Sequence, residues 1–367
     1  MIDRTRSDAP PEWALRYDAR PFAQWSMTVD VVGLAVDVPA QDLEALLVTR
    51  GQPPFESREA WPGGFVHGEN DPDAMHAALR ELKEETGQTH PQHIEELHAY
   101  DAWGRDPRQF AGHPDPRTKV WVPTGTRIVS KAFLALFRKA GRKPATTPGS
   151  DASSAHWTSV YAFLPWEDLR TPASRATLAR LTRDLRGWAR AAGRKHHDAR
   201  LERIRALFDV DGWNEEQADE RWRLVLEAGL AEEALRDRWG LAPRKPATAL
   251  YGQALAFDHR TMLADGLATL RRMIKYSPRV VKALVDQDFR LSELQLAFEA
   301  IGGRPLYRAN FRRALTAASW AVVMPTGQKL HTPGPGKPAD LYRVRDDRVD
   351  YRLDPPLNLP WAPEPES

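Results

Sequence analysis

Residues 63–87 read GGFVHGENDPDAMHAALRELKEETG, and the spacing of the charged residues in this stretch sets the expectation for the fold. From position 73 to 86 the apolar residues Met75, Ala78, Leu79 and Leu82 recur at helical spacing, and Gly87 follows where a helix commonly ends in a left-handed residue. On that helix Glu81, Glu84 and Glu85 stand at i, i+3 and i+4, so their carboxylates share one face while Leu79 and Leu82 point to a core. Three like charges repel. A solvated surface tolerates this, and a hard divalent ion such as Mg2+ or Mn2+ makes use of it, because such ions prefer oxygen ligands. An ion held there would neutralise a diphosphate and acidify a bound water that one glutamate could orient or deprotonate.

Around this helix the sequence alternates between strands and loops. Residues 28–49 read as two strands with a polar turn near Pro39 and Gln41, and residues 128–137, IVSKAFLALF, as another. A Pro-, Gly- and Arg-rich stretch over 104–126 reads as a long loop, and residues 157–164 as a last strand. An Arg- and Ala-rich helical region then runs to about Trp239, and a proline-containing linker at 241–249 follows it. Beyond it come helical patterns at 260–276, 291–301 and 307–318, an extended piece at 321–324, a turn at 325–327 and a second extended piece at 341–344. Helices followed by a two-stranded ribbon describe a winged helix-turn-helix.

A chain of 367 residues exceeds the usual size of a single core, so more than one domain is expected. The balance of 42% hydrophobic and 28% charged residues is that of a globular protein. No apolar run is long enough for a membrane span, so no membrane partner is expected and the cytoplasm is the expected location. With no cysteine, disulfides, thiolate nucleophiles and Cys-ligated zinc are excluded. The formal net charge is +2, yet residues 260–348 hold 16 Lys/Arg against 8 Asp/Glu, a local +8 that leaves −6 for the remainder. A basic C-terminal module on an acidic body suits a polyanionic partner.

The stretch at 63–87 resembles the Nudix box, whose family pattern is G-x5-E-x7-R-E-U-x-E-E-x-G-U, with U apolar. Gly64, Arg80, Glu81, Leu82, Glu84, Glu85 and Gly87 fall on it. Two departures stand out: 15 residues separate Gly64 from Arg80 where the pattern has 13, and Gln88 replaces an apolar residue. The resemblance implies that Glu81, Glu84 and Glu85 ligate the metal, that Glu84 and Glu85 with Arg80 carry any catalysis, and that Arg80 anchors the helix by an ion pair with Glu69.

Three further segments resemble the Nudix-related transcriptional regulators of NAD metabolism. They are WPGGFV at 61–66 with GRDPR at 104–108, LAFDH at 255–259, and the C-terminal LSELQLAFEAIGGRPLYRANFRR with its following PTG and GKPADLYR. In that branch the first lies near an ADP-ribose pocket, which implies ligand contacts from Gly64, Phe65, Arg105 and Arg108; the guanidinium groups suit a diphosphate, or else pair with local acids. In the third, Leu291, Leu294, Ala297, Phe298 and Ile301 form an apolar stripe before Gly302 and Gly303. Arg308, Asn310, Arg312 and Arg313 then decorate a second helix suited to base edges in the major groove, with Lys337 and Arg343 placed on the wing for phosphates and Phe311 and Leu315 turned to the core.

The expected fold is α+β: a Nudix α/β/α sandwich over residues 20–170, a helical insertion and linker over 171–250, a winged helix-turn-helix over 255–348, and a disordered tail over 354–367. The expected function is an ADP-ribose-responsive regulator, a repressor of NAD-metabolism genes, binding a double-stranded DNA operator as a homodimer. The alternative is a Mg2+- or Mn2+-dependent pyrophosphatase cleaving ADP-ribose, with the winged helix as an oligomerisation or gating element. The intact glutamates leave the enzyme question open.

Overall fold

The computed structural model describes residues 24–138, 151–209, 212–243, 249–316, 322–330, 338–350, 352–353 and 356–361. The strands are β1 (Trp25–Asp37), β2 (Asp42–Arg50), β3 (Glu59–Ala60), β4 (Gly63–Phe65), β5 (His93–Tyr100), β6 (Gly112–Pro114), β7 (Trp121–Pro123), β8 (Arg127–Phe137), β9 (Ala152–Ser159), β10 (Val323–Leu330) and β11 (Ala339–Val344). The α-helices are α1 (Ala74–Thr86), α2 (Val160–Phe163), α3 (Pro172–Ala191), α4 (Arg194–Phe208), α5 (Ala218–Glu227), α6 (His259–Tyr276), α7 (Pro278–Leu284), α8 (Leu291–Gly302) and α9 (Arg308–Thr316).

A mixed sheet in the order β3-β2-β1-β8-β5 forms the centre, with β4 also on β1 and β9 also on β2. β1 and β8 run parallel, and the other pairs are antiparallel. Because strand side chains alternate, β1 serves two cores. Val29, Val31 and Ala35 meet Ala77, Ala78 and Leu82 of α1 on one face, while Val32, Leu34 and Val36 meet a second cluster that includes Leu263 and Leu267 of α6. Gly266 permits the close approach of α6: a Cβ there would stand 2.9 Å from Val32 Cγ1. This is the expected sandwich, helices on both faces of a sheet.

The structure corrects several local expectations. α6 does not open a separate domain at 255. It is buried along much of its length, and one continuous core joins Leu134 of the sheet, Leu185 of α3, Leu267 of α6 and Phe298 of α8. The expected strand over 157–164 ends at Ser159, whose hydroxyl caps α2. The long loop over 104–126 contains the β6–β7 hairpin. The turn expected at 325–327 lies inside β10, where the pairing with β11 shifts register between Pro325 and Lys329.

The expectation of a disordered tail fails at residues 356–361. Leu357 and Leu359 are buried, the Leu357 N–H donates to the Lys275 carbonyl at 2.9 Å, and the Trp361 indole donates to Glu215 at 2.9 Å. Prolines suppress helix here without preventing packing, since alternate apolar side chains still reach the core. Among the described residues no helix is long and apolar enough to cross a membrane.

Candidate functional site: an acidic cleft and a basic helix

The start of α1 is fixed by Asp73, which accepts from the His76 N–H, and its end by Gly87 at φ 69°. The helix so bounded brings the glutamates to a cleft of about 250 Å³, lined also by Thr28 and Asp30 of β1 and Gly63, Gly64 and Phe65 of β4. Gly63 and Gly64 are required there. A Cβ on Gly64 would strike the Glu81 carboxylate, and one on Gly63 would lie 2.8 Å from Asp30 Oδ1.

The three glutamates are not equivalent. Glu85 is buried and accepts the Gly63 N–H at 2.9 Å; burial pushes its carboxyl up to about 8, with the nearby Glu81 charge adding to the effect. Burial also raises Glu81, against the pull of Arg80. Glu84 remains half exposed. Arg80 is the hub: it pairs bidentately with Asp71 at 2.9 and 3.1 Å, and donates to Glu81 at 2.7 Å, Glu84 at 3.3 Å and the Phe65 carbonyl at 3.1 Å. The anchor is therefore Asp71, held down at about 2 by Arg80. The exposed Glu69 does not pair with Arg80, because the lengthened loop places Asp71 under the guanidinium instead.

An all-oxygen donor set suits a hard divalent ion. Among the described residues, however, no three His, Asp or Glu side chains are grouped to hold a metal. Arg80 instead pairs with both Glu81 and Glu84.

The two sequence-expected arginines have different environments. Arg105 is buried in the wall and bound bidentately to Asp258 at 2.7 and 2.9 Å. Arg108 is partly exposed, bound to Asp106 at 2.6 Å, with its guanidinium 4.9 Å from the Phe65 ring and 5.5 Å from that of Phe257. Sequence reasoning missed Arg50, whose guanidinium lies 4.9 Å from the Phe257 ring and whose pKa is lowered by burial and then by Arg108. Guanidinium groups of this kind suit anionic oxygens. Asp30 was missed as well, and the sequence marks His259 only within the LAFDH segment and not as a residue of the cleft, since both sit far from the 63–87 stretch.

On the C-terminal module, Arg308, Asn310, Arg312 and Arg313 are all exposed on α9, while Phe311 and Leu315 are buried. Phe311 packs edge-on to Phe298 of α8 with centroids 5.4 Å apart. Arg343 is held by Asp288 at 2.7 Å, and Lys337 lies outside the described residues.

Two family models match the chain: the NUDIX domain over residues 28–184 and the NrtR DNA-binding winged helix domain over 281–344. The chain thus carries a NUDIX domain followed by a C-terminal winged helix domain. That winged helix is of the NrtR type.

Among curated proteins, the ADPR responsive transcriptional repressor NtrR of Acinetobacter baylyi is 37% identical over 111 residues, which is 30% of this chain and 43% of that protein; less than half of the relative's length is spanned. A MutT/nudix family protein from Enterococcus faecalis shares the fold, with a TM-score of 0.52, 21% identity and coverage of 91% of each chain. Shewanella oneidensis NrtR complexed with a 27mer DNA aligns with a TM-score of 0.48 and 20% identity over 89% of this chain and 97% of that one.

Proposed function

We propose that this chain is a transcriptional regulator, a repressor of NAD-metabolism genes, that binds ADP-ribose or a related NAD-derived nucleotide in the Nudix cleft and double-stranded DNA through the winged helix. The observation that carries the reading is the exposed Arg308, Asn310, Arg312 and Arg313 face on a helix of the NrtR DNA-binding type, in the same chain as a cleft lined by Arg50 and Arg108. The Acinetobacter relative's name, an ADPR responsive repressor, supports the choice of ligand. Gly64, Phe65 and Arg108 would meet the nucleotide, while Arg105 positions the wall through Asp258. Ligand and operator would favour different arrangements, and by linkage each weakens the other's binding by the same factor. A homodimer on a two-fold operator is part of this reading.

Nudix domains as a class use divalent ions, and Glu81, Glu84 and Glu85 would hold Mg2+ or Mn2+ if Arg80 kept Asp71 and released the glutamates. The ion would supply charge neutralisation at a diphosphate. Retention of all three glutamates favours a second activity, hydrolysis of the nucleotide, with Glu84 and Glu85 as the catalytic candidates and Arg80 orienting them.

The test is an anisotropy titration of the protein against DNA from upstream of its own gene, at fixed salt, with and without ADP-ribose and Mg2+, with AMP assayed in the same tubes. Sequence-specific binding relieved by ADP-ribose is the expected result, and AMP release decides the second activity. Absence of specific DNA binding overturns the regulator.

A further inference from the structure

The helices α3 and α4 have no part in the cleft and lie before the winged helix, yet residues 172–208 contain ten Lys/Arg against three Asp/Glu, a net of +7. On α3 the charge is ordered. Leu178, Leu181, Leu185 and Ala189 are buried, and Arg183, Arg186 and Arg190 are exposed within an arc of about 60°, centred about 130° round the helix from the buried face at 3.6 residues per turn. None of these three arginines has an ion pair or hydrogen-bond partner among the described residues. The acid on this helix, Asp184, lies off the stripe and accepts the Tyr251 hydroxyl at 2.5 Å.

Surface helices usually interleave the two signs, because like charges three and four residues apart repel. An unmixed stripe is suited to an external polyanion. The start of α3 is also tied to the DNA-binding module: the Leu169 N–H donates to the Gly303 carbonyl at 2.7 Å, and Gly303 is the left-handed cap of α8, in the turn that leads to α9. Thr171, two residues later, caps α3. α3 therefore starts beside the turn that leads to α9, and the arginine stripe begins about 18 Å further along the helix.

We propose that the Arg183, Arg186 and Arg190 face of α3 is a second duplex-DNA surface, contacting phosphates beyond the reach of the winged helix. The proposal rests on the DNA-binding reading above. Phosphate contacts of this kind are sequence-independent, so they lengthen the footprint and strengthen binding without altering base preference.

The test uses the full chain and its Arg183→Gln/Arg186→Gln/Arg190→Gln variant, glutamine keeping arginine's helix propensity. Matching circular dichroism and thermal unfolding establish that the variant is folded. Binding to a mixed-sequence duplex of about 40 base pairs is followed between about 50 and about 200 mM salt. Loss of three phosphate contacts makes the slope of log K against log salt shallower by about 2–3 and weakens binding roughly tenfold or more. The hydroxyl-radical footprint of the variant should also shorten at one side.

If the unaltered chain binds no duplex, the DNA-binding reading falls and takes this inference with it. If the unaltered chain binds, Arg312→Ala/Arg313→Ala weakens it, and the α3 variant keeps slope and footprint, the inference alone is overturned. Unchanged DNA binding with loss of retention on immobilised polyglutamate would also overturn it, assigning the stripe to an acidic protein.

Discussion

Trp61 and His259, 198 positions apart, hold each other by two hydrogen bonds: the Trp61 N–H donates to His259 Nδ1 at 2.9 Å, and the Trp61 indole N–H donates to the His259 carbonyl at 2.9 Å. The first residue of α6 is thereby locked to the loop that enters the Nudix box. With Nδ1 accepting, Nε2 carries the ring proton and faces Asp30 at 3.3 Å. His259 is neutral in the fold, because burial pushes it down to about 3.

That shift fixes a pH dependence. The unfolded chain protonates this histidine below about 6.5, whereas the folded chain resists down to about 3. Its contribution to stability is full above the higher value and lost progressively as the pH falls through that window. His259→Asn should be less stable at pH 7 by about 2 kcal/mol, and its urea midpoint should fall less steeply than the parent's between those two pH values. Parallel pH profiles for the two proteins would contradict the assignment.

The Arg80 hub makes a second comparison possible. Asp71→Asn removes a charge bound bidentately to Arg80 and should cost about 2 kcal/mol in urea denaturation. Glu69→Gln, on an exposed side chain that does not meet Arg80, should stay within about 0.5 kcal/mol. Equal effects would restore Glu69 as the anchor.

The contrast between these two acids shows what was legible in the sequence. The helix itself was, because its periodicity and caps are local: Asp73, Leu82 and Gly87 lie within fifteen residues. The choice between Glu69 and Asp71 depends on how a lengthened loop closes over Arg80, which spacing alone does not specify. Asp30, Arg50 and His259 come from distant segments and meet the cleft only through the sheet order and the docking of α6. The tail was misread from its prolines, although the alternation of Leu357, Leu359 and Trp361 was a signal for packing.

Glu85 titrates in the opposite sense to His259. Its folded pKa of about 8 exceeds the ordinary 4.5, so the folded chain keeps a proton that the unfolded chain gives up between those values. The associated stability is present below the ordinary value and lost as the pH rises through about 8. Glu85→Gln should therefore melt above the parent at alkaline pH without metal, by about 3 °C or more, with the gap closing under acid conditions. Added Mg2+ should raise the parent and leave the variant unmoved; a Mg2+ shift of equal size in both would remove Glu85 from the ligand set.

The ordered tail predicts a coupled pair. A Cβ at Gly302 would meet the Trp361 ring, so the two positions share one contact. Trp361→Ala should lower stability by about 2–3 kcal/mol and Gly302→Ala by a comparable amount. The double variant should cost less than their sum, because deleting the indole makes room for the methyl. Strict additivity in urea titrations would place Trp361 away from α8.

The separation of the cleft from α9 yields the last prediction. Arg312 and Arg313 are exposed and lie apart from the Glu84 and Glu85 cleft in the fold, so each pair of substitutions should affect one activity. Arg312→Ala/Arg313→Ala should weaken duplex binding by about 1–3 kcal/mol for each lost base contact, and by less if Arg312 meets only phosphate, while nucleotide binding measured by calorimetry is unchanged. Glu84→Gln/Glu85→Gln should remove metal-dependent nucleotide turnover and leave the duplex affinity intact. Arg343→Ala should act more weakly than the α9 pair, since Asp288 already holds that guanidinium at 2.7 Å and a phosphate must compete for it. If the glutamate variant loses DNA binding while its unfolding curve matches the parent's, the acidic helix and the winged helix form one functional surface rather than two linked ones.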